Sequence, residues 1–248
     1  ASPPHSSPLD TVSPKMVLFR TMASPIIIIG DTHFPFHNAE TLLWIYALIK
    51  KLSPRYVIQI GDLYDLYNFT RFPKMTDIMT PRNEIELGRK EAEKMWLRVQ
   101  KIVPKATCYQ LKGNHDSRAK ARIIEKAPEA LALMKLDELW EFSGVTTLES
   151  AEDDLVINGN IYQHGWRTKL GDHAWHNGCN TVRGHSHKGG LVTKRLGEKV
   201  IWELDVGYCA DPTVAPLRYH KQIRNSKGTQ GCGIVDSLGP RFCPYPSS

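Results

Sequence analysis

The sequence predicts an α/β fold in which two packed β-sheets carry helices on their outer faces. Three observations predict it. A strand–helix–strand unit opens the periodic part of the chain, a long amphipathic helix leads into a third short strand, and a run of short strands follows Ser143. Residues 1–24 stay outside this reading. Ala1–Pro14 is a Ser/Pro/His stretch without a basic-then-apolar profile, taken as a leader, tag or extension. Residues 25–248 are taken as one domain, since no linker divides them.

The β-branched run Ile26–Ile29, bounded by Pro25 and Gly30, predicts a buried strand. Asn38 caps a predicted helix over 39–51, where Leu42, Ile45, Tyr46 and Ile49 share one face. Pro54 closes that unit, and Tyr56–Ile60 is the second strand of a parallel pair. Glu84–Val103 follows as a long helix, with Ile85, Trp96, Val99 and Ile102 in phase and Pro104 as its stop. Thr107–Leu111 is the third strand, and 117–141 is expected to be helical with a restart at Pro128. Short strands are then expected at 145–148, 155–157, 161–163, 181–183, 191–196 and 199–206. Asn158-Gly159 marks a hairpin, and Gly197 sits in a turn. Residues 207–227 are expected to form a long loop, with a last strand at 233–236.

Composition narrows the function classes. The 248 residues are 41% hydrophobic and 23% charged, which excludes wholesale disorder. No apolar stretch approaches the ~20 residues that span a bilayer, so a soluble, cytoplasmic protein of a bacterial or phage-infected cell is expected. Lys+Arg 32 against Asp+Glu 26 leaves +6, which favours anionic partners. Five cysteines without a C-x-x-C pair indicate neither a zinc ribbon nor a disulfide framework, although Cys232 and Cys243 could pair in a compact tail.

The chemistry lies at the strand ends. Strand one ends in Gly30-Asp31-Thr32-His33, strand two in Gly61-Asp62-Leu63-Tyr64-Asp65, and strand three in Gly113-Asn114-His115-Asp116. Later turns carry His164-Gly165 and Gly184-His185-Ser186-His187, so five of the ten histidines fall in these places. Loops at the carboxyl ends of strands are where α/β sheets gather their sites. Carboxylate, imidazole and amide oxygen suit Mn, Fe or Zn. In Asp-x-His and His-x-His both side chains leave one side of an extended backbone, so each pair can grip one cation or straddle two. Turn capping would explain any single one of these residues. It does not explain histidine at five of them.

These five turns resemble the five signature blocks of the calcineurin-like metallophosphoesterase superfamily, in the family's order, over residues 26–206. The resemblance implies a four-layer αββα sandwich of two mixed β-sheets flanked by helices. It implies two divalent metal ions, with Mn the first expectation and Fe, Zn, Ni or Mg as alternatives. Asp31, His33 and His187 would hold one, Asn114, His164 and His185 the other, and Asp62 would bridge them. His115 would be the general acid, Asp116 would orient its ring, and Asp65 would hydrogen-bond within the second turn. The implied reaction is attack of a metal-bridging hydroxide on a phosphoester. The aromatic stretch after the second turn and the late loop leading to Gln230-Gly231 are more loosely similar to phage and bacterial phosphoesterases.

The substrate is less legible. Two basic-aromatic segments, 66–74 with Tyr67 and Arg71 and 218–227 with Arg218 and Tyr219, offer what a nucleotide base or single strand wants. Arg118 and Arg167 follow ligand turns and are candidate phosphate contacts. A phosphodiesterase acting on nucleotides or nucleic acid is therefore expected. The alternatives are a phosphomonoesterase, including one acting on phosphoserine or phosphothreonine, and a non-catalytic scaffold of the same fold. His173 and His176 are expected on an exposed helical turn, and Trp96, Trp140 and Trp202 as core anchors.

Overall fold

A computed structural model describes residues 24–74, 79–133, 135–148, 150–214 and 228–246. The expected 1–24 extension, apart from its last residue, and the 218–227 segment lie outside them. β1 (Ile26–Ile29), α1 (Ala39–Leu52), β2 (Tyr56–Gln59), α2 (Pro81–Ile102) and β3 (Thr107–Gln110) form two parallel crossovers. Ile26 pairs with Tyr56, and Tyr56 with Thr107. α3 (Arg118–Lys126) and two 3₁₀ turns over 128–133 and 136–140 lead to β4 (Val145–Thr147), so the helical stretch expected over 117–141 is three short pieces.

The second sheet begins with the hairpin β5 (Leu155–Ile157) and β6 (Asn160–Gln163). α4 (Asp172–Asn177), β7 (Thr181–Arg183), β8 (Gly190–Leu196) and β9 (Lys199–Asp205) complete it, in the order β5-β6-β7-β9-β8. The chain then returns to the first sheet through β10 (Gly231–Asp236) and β11 (Gly239–Pro244), giving β11-β10-β1-β2-β3-β4. Both sheets mix parallel and antiparallel pairs. β11 is absent from the sequence expectation because Pro240 and Pro244 argue against a strand. At a sheet edge their missing N–H groups are tolerated.

The all-isoleucine β1 explains the layering. Ile27 and Ile29 join Leu42, Ile45 and Ile49 of α1 and Trp96 and Val99 of α2 in one core. Ile26 and Ile28 join Tyr162, Val182 and Leu204 in a second core, between the sheets. A strand buried on both faces needs no polar alternation, and each isoleucine contributes roughly 1.5–3 kcal/mol by burial. α4 packs on β7 and β9, where His173 and Ala174 are buried against Glu203. The result is helix, sheet, sheet, helix: the αββα sandwich.

α2 starts three residues before its expected position. Thr80 caps it by accepting from the Asn83 N–H at 3.3 Å, and Pro81 takes the first turn. Trp96 and Trp140 are buried, whereas Trp202 is half-buried. Cys232 and Cys243 face each other across β10 and β11 as free thiols.

Candidate metal centre

The strand ends converge. Turn one docks on turn two through His33 N–H to the Asp62 carbonyl at 3.0 Å and Thr32 Oγ1 to the Leu63 carbonyl at 3.0 Å. The His115 N–H donates to Asp62 Oδ1, and the His185 N–H to Asp31 Oδ2, at 2.8 and 2.9 Å. Each buried carboxylate is thereby aimed by the backbone of another turn. His33, Asp62, His185 and His187 take left-handed φ values of 49°, 49°, 68° and 60°. Such strain costs of order 1–3 kcal/mol per residue and gathers where function requires it. A Cβ on Gly113 would collide with the Asp62 carboxylate, and one on Gly184 with Asp31 Oδ1. Glycine at these two places lets the carboxylates sit against the backbone.

Two sets of donor atoms result. His187 Nε2 lies 3.0 Å from Asp31 Oδ2 and 3.2 Å from His33 Nε2. On the other side His164 Nε2 is 3.2 Å from both Asp62 Oδ2 and Asn114 Oδ1, with His185 Nδ1 2.8 Å from the same Asn114 oxygen. Asp62 Oδ2 stands between the sets, 4.0 Å from His33 Nε2. Three triads, Asp31/His33/His187, His33/Asp62/His115 and Asp31/Asp62/His164, each keep their ligand atoms within 4.8 Å of one another.

Burial governs the charges. It pushes the His185 and His187 imidazoles down to about 4 and lowers His33, so all three are neutral near pH 7 and free to ligate. Burial also opposes a charge on His164, but Asp62 and Asp31 hold it up to about 9. Asp62 lies well below the ordinary carboxylate range, since His164 and His115 outweigh its burial. Burial raises Asp31, and its Oδ1 is enclosed without a hydrogen-bond partner. Neutral imidazoles, an amide oxygen and buried carboxylates, one with an orphaned oxygen, fit a pair of divalent cations.

The seven residues expected to hold metal, Asp31, His33, Asp62, Asn114, His164, His185 and His187, are all in this cluster. Asp116 is placed differently from the expectation. It accepts from the Leu63, Tyr64 and Gly113 N–H groups at 3.2, 2.9 and 2.8 Å, pinning turn three to turn two. Burial, and then Asp62, raise it to about 7. The carboxylate on the His115 ring is Asp65, whose Oδ1 is 2.6 Å from His115 Nδ1 and 3.1 Å from His33 Nδ1. These contacts outweigh burial and hold Asp65 well below its usual range. Its reach extends far beyond its own turn.

Of the expected substrate contacts, Arg118 reaches His115 Nε2 at 2.8 Å. Arg71 lines a cavity of about 500 Å³ beside Asn114 and Arg118. Tyr67 instead packs with Phe36, Tyr208 and Ala210, and Arg167 lies 3.7 Å from Asp172 of α4. His173 is fully buried, contrary to the exposed turn expected, while His176 is exposed. His173 Nε2 accepts from the Trp166 and Arg167 N–H groups at 3.0 and 3.3 Å, which fixes the loop after His164. Two further supports carry no clear sequence signal. Buried Glu84 accepts from the Tyr67 and Asn68 N–H groups at 2.5 and 3.0 Å, and the Tyr208 ring stacks on His187 with centroids 5.0 Å apart.

An αββα sandwich whose carboxyl-edge loops meet in a buried His/Asp cluster has the setting of a hydrolase with a candidate metal site. The chain belongs to the calcineurin-like phosphoesterase family, whose profile matches residues 24–189. It is 27% identical over 203 residues to the Gene 54 proteins of Mycobacterium phages L5 and D29, over 75% of this chain and 79% of each relative. A structure of Vacuolar Protein Sorting 29 from Cryptosporidium parvum overlays with a TM-score of 0.43 and 15% identity, covering 87% of this chain and 86% of that one. Among the described residues no helix is long and apolar enough to cross a membrane.

Proposed function

We propose that this chain is a phosphodiesterase dependent on two divalent cations, manganese first among them, and that it acts on nucleotides or nucleic acid. Asp31, His33 and His187 would hold one cation, Asn114, His164 and His185 the other, and Asp62 both. The observation that carries this reading is the facing of acceptor atoms, the neutral His33 and His187 nitrogens, with the buried Asp31 carboxylate beside them and its Oδ1 left unpartnered. Cations bound there supply Lewis-acid stabilisation of phosphoryl oxygens and acidify water.

The remaining steps belong to the protein's own groups. Arg118, which can only donate, donates to His115 Nε2, so the ring proton sits on Nδ1 and is donated to Asp65 Oδ1. A phosphoryl group that draws Arg118 to itself frees Nε2 for the leaving oxygen. Nε2, once free, takes up a proton from solvent. As water adds to phosphorus and gives up its own proton to solvent, the P–O bond to the leaving group breaks and the ring passes its Nε2 proton to the departing alkoxide. Asp65 stabilises the imidazolium and keeps the ring oriented.

The +6 balance and the cavity walled by arginine and phenylalanine support a diester over a monoester. Rates on bis-p-nitrophenyl phosphate and p-nitrophenyl phosphate, at matched manganese loading, test this. Faster diester hydrolysis is expected; a strong monoester bias would replace this reading with a phosphomonoesterase.

A further inference from the structure

A concavity of about 830 Å³ lies between α1 and α2 and holds none of the site residues. The informative one is smaller. The 500 Å³ cavity touches Asn114 and Arg118, and Arg118 touches the Nε2 edge of His115. Whatever leaves with the oxygen that His115 protonates departs on this side. The volume falls in the roughly 300–1,000 Å³ range of small-ligand sites.

The walls describe the leaving group. Phe69 and Phe72 supply aromatic faces, and Phe72 is 75% exposed, an apolar ring that packing in the fold does not use. Arg71, Arg118 and Arg122 supply guanidinium groups, and among the described residues no carboxylate lines the cavity. Arg118 is tied to Asp65 and Arg122 to Glu125, while Arg71 has no ion pair among the described residues. A lipid tail or simple alkyl group would leave the Arg71 guanidinium without an anion. An inorganic anion would leave the rings wet. A heterocycle joined to a further phosphate satisfies both, by stacking and by planar bidentate pairing.

We propose that this cavity is the subsite for the leaving nucleotide of a single-stranded nucleic acid, its base stacked on Phe72 and its next phosphate paired with Arg71 and Arg122. Single strands are singled out because a duplex keeps its base faces covered. The proposal rests on the phosphodiesterase reading above.

The test compares two esters on manganese-loaded protein: a thymidine pentanucleotide and the methyl ester of thymidine 5′-phosphate, whose leaving group is too small to fill the cavity. The wild type is expected to favour the pentanucleotide at least tenfold in kcat/KM. Phe72→Ala and Arg122→Ala are each expected to cut that preference about tenfold, ~1.4 kcal/mol. A binding readout accompanies it. Fluorescence anisotropy of labelled oligothymidylate on metal-loaded His115→Ala protein should show about tenfold weaker binding when Phe72→Ala is added. Duplex of the same length should bind more weakly than the single strand. A preference that stays within twofold in both variants, or equal binding of duplex, overturns the subsite while hydrolysis of the esters keeps the phosphodiesterase reading. Failure to hydrolyse either ester or bis-p-nitrophenyl phosphate with manganese, magnesium, zinc or nickel overturns both.

Discussion

Arg183 and His185 are separated by one glycine, yet they belong to buried polar clusters of opposite construction. On the outer face of the second sheet Arg183 donates to Glu203 at 2.7 Å and lies 3.0 Å from Asp205, with all three side chains enclosed. Asp205 also accepts from the Gly189 and Gly207 N–H groups and from the Ser186 hydroxyl. What remains unpartnered there is Arg183 Nη2 and His173 Nδ1, both donors. In the metal-centre cluster the unpartnered atoms are Asp31 Oδ1 and Asp65 Oδ2, both acceptors. One cluster carries its cation in the chain. The other, on the function proposed above, takes its cation from outside.

The largest effect should come from the proposed proton donor. His115→Ala is expected to lower turnover ~10²–10⁴-fold, the span of general-acid catalysis, while bound metal stays near wild type because His115 lies outside the seven proposed ligands. Steady-state rates beside elemental analysis of the purified variant check both halves. Full activity would remove His115 from its role. Loss of metal would make it a ligand.

Arg183→Met attacks the other cluster. It strands Glu203 and Asp205 without their cation, and breaking a buried pair by removing one partner costs roughly 3–5 kcal/mol. Urea unfolding in chelator should show this as a lower midpoint. A midpoint equal to wild type would mean that the backbone donors around Asp205 suffice alone.

What the sequence made legible follows the same division. Residues that act through short, contiguous turns could be read: Asp31 with His33, Asn114 with His115, and His185 with His187 each announce themselves directly after a glycine. The strand Ile26–Ile29 was equally open, because burial on both faces leaves an uninterrupted apolar run. Supports that act across the fold were not. Asp65 and Asp116 are both near-neighbours of signature residues, and only the folded turns decide which meets the His115 ring. Glu84 sits on an amphipathic helix like any solvated acid until the 67–69 turn folds over it. His173 reads as an exposed turn because its partner, Glu203, is thirty residues away on β9.

The pH dependence of stability separates the clusters further. The His173 ring 3.7 Å away, the hydrogen bond from the Ala174 N–H and the Arg183 guanidinium outweigh burial and hold Glu203 down to about 2, against an ordinary 4.5. A depressed carboxylate stabilises the fold above its unfolded pKa, and that stability disappears as pH falls from about 4.5 through 2. The contribution is on the order of 2 kcal/mol. Glu203→Gln should flatten the acid limb of the stability curve in that window. An unchanged limb would place the acid sensitivity elsewhere.

The smallest effect is the most discriminating, because its sign should reverse. Burial raises Asp31, so without metal its carboxylate destabilises the fold at pH values above its folded pKa, where it must ionise in a dry site. Asp31→Asn removes that charge and keeps an oxygen for the His185 N–H. In chelator the variant should therefore be about 1 kcal/mol more stable than wild type, by relief of an unsatisfied buried group. In excess manganese the wild type gains stability by mass action, and a variant lacking one ligand gains less. Thermal melts of both proteins in chelator and in manganese should cross. If wild type melts higher in both, Asp31 is held by the fold rather than by a cation, and the contrast between the two clusters fails at its central residue.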